Sequence, residues 1–186
     1  MRIVGGAERG RTIESVPGDA TRPTGDRVRQ SLFDLLGQRC DGLRVLDLYA
    51  GTGALSWEAL SRGAASAVLV ESARAAAEVI TENLSKLKYE GRARLLREDV
   101  ARALGGLAAR GEKFELIFSD PPYARLAAQS TADEIARLGL LAPGGRLVIE
   151  HGKAEPAPNA PEGWERDERR YGETSVVVLT RPAPID

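Results

Sequence analysis

The chain has 186 residues, 42% hydrophobic and 28% charged, with a net charge of −1 and a single cysteine and histidine. That size and composition describe one ordinary globular core with room for an appendage, not a disulfide scaffold or a uniformly basic nucleic-acid coat. One histidine and one cysteine leave no plausible set of zinc ligands, so no metal is expected, and no apolar stretch reaches the roughly 18 residues that would span a membrane. The N-terminus lacks a charged segment followed by an apolar one, so the cytoplasm is the expected location.

Residues 1–23 carry Gly5-Gly6, Gly10, Pro17 and Gly18, which predicts an irregular or short-stranded N-terminal extension. Its basic residues, with those of the next segment, are all arginines: Arg2, Arg9, Arg11, Arg22, Arg27 and Arg29. Arginine's planar fork of donors suits phosphates and base edges; the alternative is a solvated, flexible arm. A helix is predicted over Thr24–Gly37, with Val28, Leu32, Leu35 and Leu36 on one face and Gly37 as terminator.

From Leu43 onward, apolar runs alternate with helical patterns, which implies an α/β fold with a mostly parallel sheet. Strands are predicted at Arg44–Leu48, Ala67–Glu71, Ala93–Arg97, Phe114–Ser119 and Arg146–Glu150. Helices are expected near Ala54–Arg62, Arg74–Lys88, Ala101–Arg110 and Ala127–Leu138, with Pro143-Gly144-Gly145 ending the last one. Beyond a Pro-rich connection over Glu155–Pro161, Trp164–Arg170 and Thr174–Thr180 read as an antiparallel hairpin joined across Tyr171-Gly172-Glu173.

The first strand runs into Asp47-Leu48-Tyr49-Ala50-Gly51-Thr52-Gly53-Ala54, a strand, a tight Gly-x-Gly turn and a helix start. Glycines there admit a ligand close to the backbone, and the helix N-terminus offers free N–H groups. Gly-x-Gly alone is weak, but Asp47 would repel a pyrophosphate and attract a cationic amino group, and Ser56 replaces the third glycine of a dinucleotide fingerprint. Both details favour S-adenosylmethionine over a nicotinamide cofactor. Glu71 ends the second strand, where it can accept from both ribose hydroxyls. Asp99 is placed to accept from the adenine amino group with the Val100 N–H facing the ring, and it also suits a helix cap.

Asp120-Pro121-Pro122-Tyr123 follows the fourth strand, and two prolines cannot continue it, so the tetrapeptide is a stiff loop at the strand's C-terminal edge. Open α/β sheets bind ligands at that edge. Asp120 and the Pro121 carbonyl could accept both N–H groups of an exocyclic amine, whose lone pair is otherwise delocalised into its ring. Tyr123 could stack on the base and hold it extruded. The duller alternative is that the prolines stop a strand and Tyr123 packs locally.

These residues together resemble the amino-methyltransferases of the S-adenosylmethionine-dependent superfamily. Nearly the whole chain is similar to the bacterial 16S rRNA guanine-N2 methyltransferases of the RsmD type. The segments that carry the likeness are Arg2-Ile3-Val4-Gly5-Gly6, Gly10-Arg11, Thr21-Arg22-Pro23-Thr24, Asp26-Arg27-Val28-Arg29, Leu32-Phe33, Asp47 to Ala54, Glu58 to Ala64, Asp120 to Tyr123, Glu150-His151 and Tyr171 to Thr174. The N-terminal segments are the most specific, because the tetrapeptide occurs in amine methylators of DNA, RNA and protein alike.

The resemblance implies a doubly wound, Rossmann-like methyltransferase sheet with a C-terminal antiparallel hairpin. It implies an RNA-binding extension over residues 1–39 ahead of a methyltransferase domain over 40–186. S-adenosylmethionine is the implied cofactor, held by Asp47, Tyr49, Ala50, Gly51, Thr52, Gly53, Glu71, Ser72, Asp99 and Val100, with Asp120, Pro121, Pro122 and Tyr123 catalytic. The implied substrate is one guanine of 16S rRNA in a small ribosomal subunit or an assembly intermediate, engaged by Arg9, Arg11, Arg22 and Arg27 of a monomeric protein. The chain departs from the family pattern at Tyr49 for Phe, Ser56-Trp57 for Gly-Leu, and Glu98 for Gly.

His151 follows a strand and reads as either a substrate contact or a structural histidine, Trp57 as core, and Cys40 as inert. Rival functions are a DNA adenine-N6 or cytosine-N4 methyltransferase, a nicotinamide oxidoreductase, and a non-enzymatic RNA-binding assembly factor. The chain is too short for a separate DNA target-recognition domain, and Asp47 argues against the oxidoreductase.

Overall fold

The computed structural model describes residues 1–16, 25–121, 127–152, 156–172 and 174–184. The fold is mixed α/β with seven strands, parallel apart from a C-terminal antiparallel hairpin, as the sequence pattern predicts. Two compact units divide the chain, Met1–Asp99 and Val100–Asp186.

The first unit holds α1 (Asp26–Leu35), β1 (Arg44–Leu48), α2 (Ala54–Ser61), β2 (Ser66–Val70), α3 (Arg74–Leu87) and β3 (Ala93–Leu96). Its strands lie in the order β3-β2-β1, all parallel, with Asp47 opposite Leu69 and Leu48 opposite Val70. β1 is buried from Val45 to Leu48, and β2 from Ala67 to Val70, the near-continuous apolar pattern of strands covered on both faces. α3 turns Ala76, Val79, Ile80, Asn83 and Leu87 inward, a helical stripe with one polar member.

Over residues 1–16 the N-terminal segment is anchored, not a solvated arm. Over its described part an isolated bridge pairs Arg2 with Thr12, and Ile3 and Ile13 are buried. The Val4 N–H donates to Glu58 (2.9 Å), the Ala7 N–H to the Ser61 carbonyl (2.8 Å) and the Glu8 N–H to Ser61 Oγ (2.9 Å), so the segment lies along α2. A Cβ on Gly5 would stand 2.2 Å from the Arg62 guanidinium, and one on Gly6 would stand 2.0 Å from the Ser61 carbonyl oxygen. Gly6 also has φ +77°, so Gly5 is required by close approach and Gly6 by close approach and conformation at once.

Arg29 corrects the expected helix face. It is almost fully buried, donates to the Arg2 carbonyl (2.6 Å) and to Asp26 (2.8 Å), and lies 4.0 Å from Glu58. Glu58, fully buried, also pairs with Arg62 at 2.9 Å, and the Arg62 guanidinium sits 4.7 Å from the centre of the Phe33 ring. The inner face of α1 is therefore Arg29, Leu32 and Phe33, continued by Leu36, with Val28 and Leu35 half-buried.

The second unit holds α4 (Val100–Ala109), β4 (Phe114–Ser119), α5 (Ala127–Leu138), β5 (Leu141–His151), β6 (Glu165–Tyr171) and β7 (Thr174–Thr180), with strands ordered β4-β5-β7-β6. Pro143-Gly144-Gly145 does not end α5. Gly139 does, at φ +65°, while the Leu140 N–H reaches back to the Ile135 carbonyl. The prolyl-glycyl triplet instead bulges inside β5: Phe114 pairs with Leu141 but Leu116 with Arg146, so an advance of five positions on one strand matches an advance of two on the other. β7 is buried from Ser175 to Leu179, whereas β6, with the sequence ERDERRY, forms a highly charged edge.

Candidate cofactor and active site

Three devices shape the turn after β1. Tyr49 takes a left-handed conformation at φ +59°, as do Gly51 at +58° and Gly53 at +77°, so the backbone reverses within five residues. A non-glycine residue in that region stores about 1–3 kcal/mol of strain, a cost that concentrates where a loop must meet a ligand. The two glycines have different reasons to lack a side chain. A Cβ on Gly53 would strike Trp57 and Leu69 within 2.7 Å, whereas one on Gly51 would meet nothing within 4 Å. Gly53 is fixed by packing, and Gly51 borders open space.

Four side chains hold this turn. Glu71, at the end of β2, accepts from the Gly51 N–H (2.9 Å) and from the Ala73 N–H (2.8 Å). Trp57 is fully buried and donates its indole N–H to the Thr52 carbonyl (2.7 Å), which agrees with its expected place in the core. Asn83 donates to the same carbonyl at 3.3 Å while exchanging bonds with the backbone of Glu14, at 2.7 Å from its N–H and 3.2 Å from its carbonyl. Ser56 Oγ donates to Asp47 at 2.7 Å.

Asp47 is buried with this one side-chain donor, and burial pushes its carboxyl up to about 7. Hydrogen bonds from the Ser56 hydroxyl and backbone N–H oppose the rise, and the charge of Glu71 adds to it. A carboxylate so short of compensation is a receptor for a cation. An α-ammonium meets that need directly, and the open side of Gly51 and the Glu71 carboxylate border the same turn, so the donor set fits S-adenosylmethionine.

The other expected cofactor residues sit as follows. Ala50 N–H bonds the Val70 carbonyl at 3.0 Å, tying the turn to β2, and Thr52 is buried. Ser72 is exposed just after Glu71, and Asp99 is exposed immediately before α4, which Val100 opens. In the second unit, Asp120 is exposed at the end of β4 and Pro121 is buried behind it. Pro122, Tyr123 and Arg22 lie outside the described residues. Ser119 Oγ, directly before Asp120, is buried with no hydrogen-bond partner among the described residues.

Of the arginines expected to meet RNA, Arg9 and Arg27 are exposed, but Arg11 is engaged at home, bonded to Glu8 (2.6 Å) and to the Lys86 carbonyl. His151 is buried, with Nδ1 3.2 Å from the Gly152 carbonyl and Nε2 3.9 Å from Glu168. Sequence reasoning passed over Ser56, taken only as a departure from glycine, and over Asn83. The signal for Asn83 was a polar residue on the inward stripe Ala76, Ile80, Asn83, Leu87.

A family model described as conserved hypothetical protein 95 matches residues 1–180. Ribosomal RNA small subunit methyltransferase D of Escherichia coli K12 is 37% identical over 184 residues, covering 98% of this chain and 91% of that one. This chain belongs to that family. It is a methyltransferase by that membership. A solved structure of a hypothetical protein from Thermus thermophilus, 34% identical, superposes with a TM-score of 0.80 over 96% of this chain and 98% of that one. SMU.776, solved in complex with SAH, is 16% identical with a TM-score of 0.63, covering 83% of this chain and 48% of that one, and shows the shared fold.

Proposed function

We propose that the chain transfers a methyl group from S-adenosylmethionine to the exocyclic N2 amine of one guanine of 16S rRNA in the small ribosomal subunit or its precursor. It acts as a cytoplasmic monomer, with residues 1–39 as the RNA-binding extension of the methyltransferase domain at 40–186. The observation that carries this reading is the buried, under-compensated Asp47 beside a glycine turn that Glu71 braces. The likeness to ribosomal RNA small subunit methyltransferase D over nearly the full length of both chains supports the substrate. Among the described residues, no helix is long and apolar enough to cross a membrane.

The cofactor supplies an electrophilic methyl on a sulfonium. Asp47 holds the α-ammonium, Glu71 the ribose hydroxyls, and Asp99 with the Val100 N–H the adenine edge. Asp120 and the Pro121 carbonyl accept the two N–H groups of guanine N2, which turns the nitrogen lone pair out of the ring and toward the methyl carbon. Tyr123 stacks on the extruded base. As the N–C bond forms and the C–S bond breaks, the nitrogen becomes acidic and its proton leaves to Asp120 or solvent, so Asp120 need not be a strong base.

The test is tritium transfer from labelled S-adenosylmethionine to small-subunit particles that lack the mark, followed by nucleoside analysis. The expected product is N2-methylguanosine in 16S rRNA. No incorporation by a folded protein, or incorporation into duplex DNA instead, overturns the reading.

A further inference from the structure

Resting on that reading of the substrate, we propose that the cleft between the N-terminal segment and α1 is a seat for one unstacked nucleotide of the RNA, gripped through its phosphate by Arg9 and Arg27. The cleft has a volume of about 310 Å³ and is lined by Arg2, Ile3, Arg9, Gly10, Arg27 and Gln30, among others. That is the lower end of small-ligand pockets, the size class of a single nucleotide.

Its walls are built, not incidental. The Gly10 N–H bonds the Ile3 carbonyl (2.8 Å) and the Ile3 N–H bonds the Arg11 carbonyl (2.9 Å), which closes the N-terminal loop. Arg2 clamps that loop to α1 through Asp26 at 2.9 Å, and Arg29 holds the same two residues from beneath. Gly10, at φ +87°, faces open space.

The charges divide into two roles. Asp26 is the acidic member of the lining. Burial works against its charge, but Arg2 and Arg29 outweigh that and hold its carboxyl below the ordinary value, so its ionised charge is already answered. Arg9 and Arg27 are exposed and have no side-chain partner among the described residues. Two guanidiniums lining one concavity, neither with a side-chain partner among the described residues, form an anion receptor, and each planar donor fork suits a phosphodiester oxygen pair. The Gln30 amide, by contrast, is spent on Asp34 (2.7 Å) and Arg62 (3.4 Å). The seat therefore reads phosphate and the room for an unstacked base, not base identity, the mode by which proteins hold single-stranded RNA.

The test compares an Arg9→Ala/Arg27→Ala double variant of the full chain with Arg74→Ala/Arg137→Ala. The latter loses the same charge from exposed helix sites with ion pairs of their own. Affinity for a small-subunit rRNA fragment is measured across a salt series, with KM, kcat and S-adenosylhomocysteine affinity alongside. The cleft variant should lose about 0.7 from the log–log salt slope, the value for one phosphate contact to a single strand. Its RNA KM should rise about tenfold or more, while kcat at saturating RNA and S-adenosylhomocysteine affinity stay unchanged. An unaltered slope, an equal loss in the control, or the same loss on fully duplex RNA overturns the seat. Failure of the wild-type protein to methylate small-subunit rRNA would sink the functional reading instead, a separate observation.

Discussion

The turn after β1 and the cleft beside α1 belong to the same compact unit, yet they are finished to different degrees. Around the turn, Glu71, Trp57, Asn83 and Ser56 each fix a backbone atom or the Asp47 carboxylate, and the backbone already carries its left-handed residues. Around the cleft, the walls are fixed but Arg9 and Arg27 have no side-chain partner among the described residues. A small cofactor with one binding pose rewards preorganisation, because ordering costs are met before it arrives. A polymer that approaches by long-range attraction rewards unpaired charge on long side chains.

The largest effect separates holding the donor from doing the chemistry. Asp120→Ala should lower kcat about 10²–10³-fold and leave S-adenosylhomocysteine affinity near wild type, as expected when an orienting acceptor is removed; unchanged turnover would remove Asp120 from the reaction. Next is the seating of the N-terminal segment on α2. Gly6→Ala forces a Cβ into the Ser61 carbonyl at a positive φ and should cost about 3 kcal/mol in chemical denaturation, with RNA affinity lost before cofactor affinity. A loss below about 1 kcal/mol would mean that the N-terminal segment is not braced on α2 as described.

Asp47→Asn should weaken S-adenosylhomocysteine binding about 30–100-fold while raising thermal stability, because it removes a buried charge. The Asp47 carboxyl is raised when folded, so ionisation favours the unfolded chain. Its stability cost grows as pH climbs from about 4, the unfolded value, to about 7, and is constant above that. The gain in Tm of the Asn variant should therefore be largest above pH 7 and shrink toward pH 4. A variant no more stable than wild type at pH 8 contradicts a destabilising carboxylate.

The same ionisation gates the ligand. S-adenosylhomocysteine affinity should rise up to tenfold per pH unit below about 7 and then level off, with up to one proton released on binding near pH 6. Calorimetry in buffers of different ionisation enthalpy measures that proton, and a flat profile would place the ammonium elsewhere. The smallest effect falls where turn and N-terminal segment meet: Asn83→Ala should weaken both cofactor and RNA binding by about 1 kcal/mol each, and a loss in only one would show the two regions to be independent.

The sequence made the strands legible where apolar runs had abrupt ends. Phe114–Ser119 and Arg44–Leu48 match their predicted bounds because prolines stop one and a glycine turn follows the other. Pro143-Gly144-Gly145 misled because the same residues that break a helix also bulge a strand, and only pairing with β4 distinguishes the two. Arg29 misled because charge was counted as solvent-facing, although a buried guanidinium is tolerated when Asp26, Glu58 and a carbonyl surround it. Asp47 and Glu71 were singled out by spacing along the chain, and both lie at the turn after β1. Ser56 and Asn83 were not legible, since their roles depend on partners 9 and 31 residues away in a folded geometry.

Asn83 has one further consequence. A single amide spans Glu14 of the N-terminal segment and the carbonyl of Thr52 in the turn, so whatever steadies one end steadies the other. Were donor and RNA each to steady this amide, thermodynamic reciprocity would make them assist each other's binding by the same factor. In steady-state terms, spent donor trapped in its site would delay departure of the RNA, and the exit of the two products becomes a shared event.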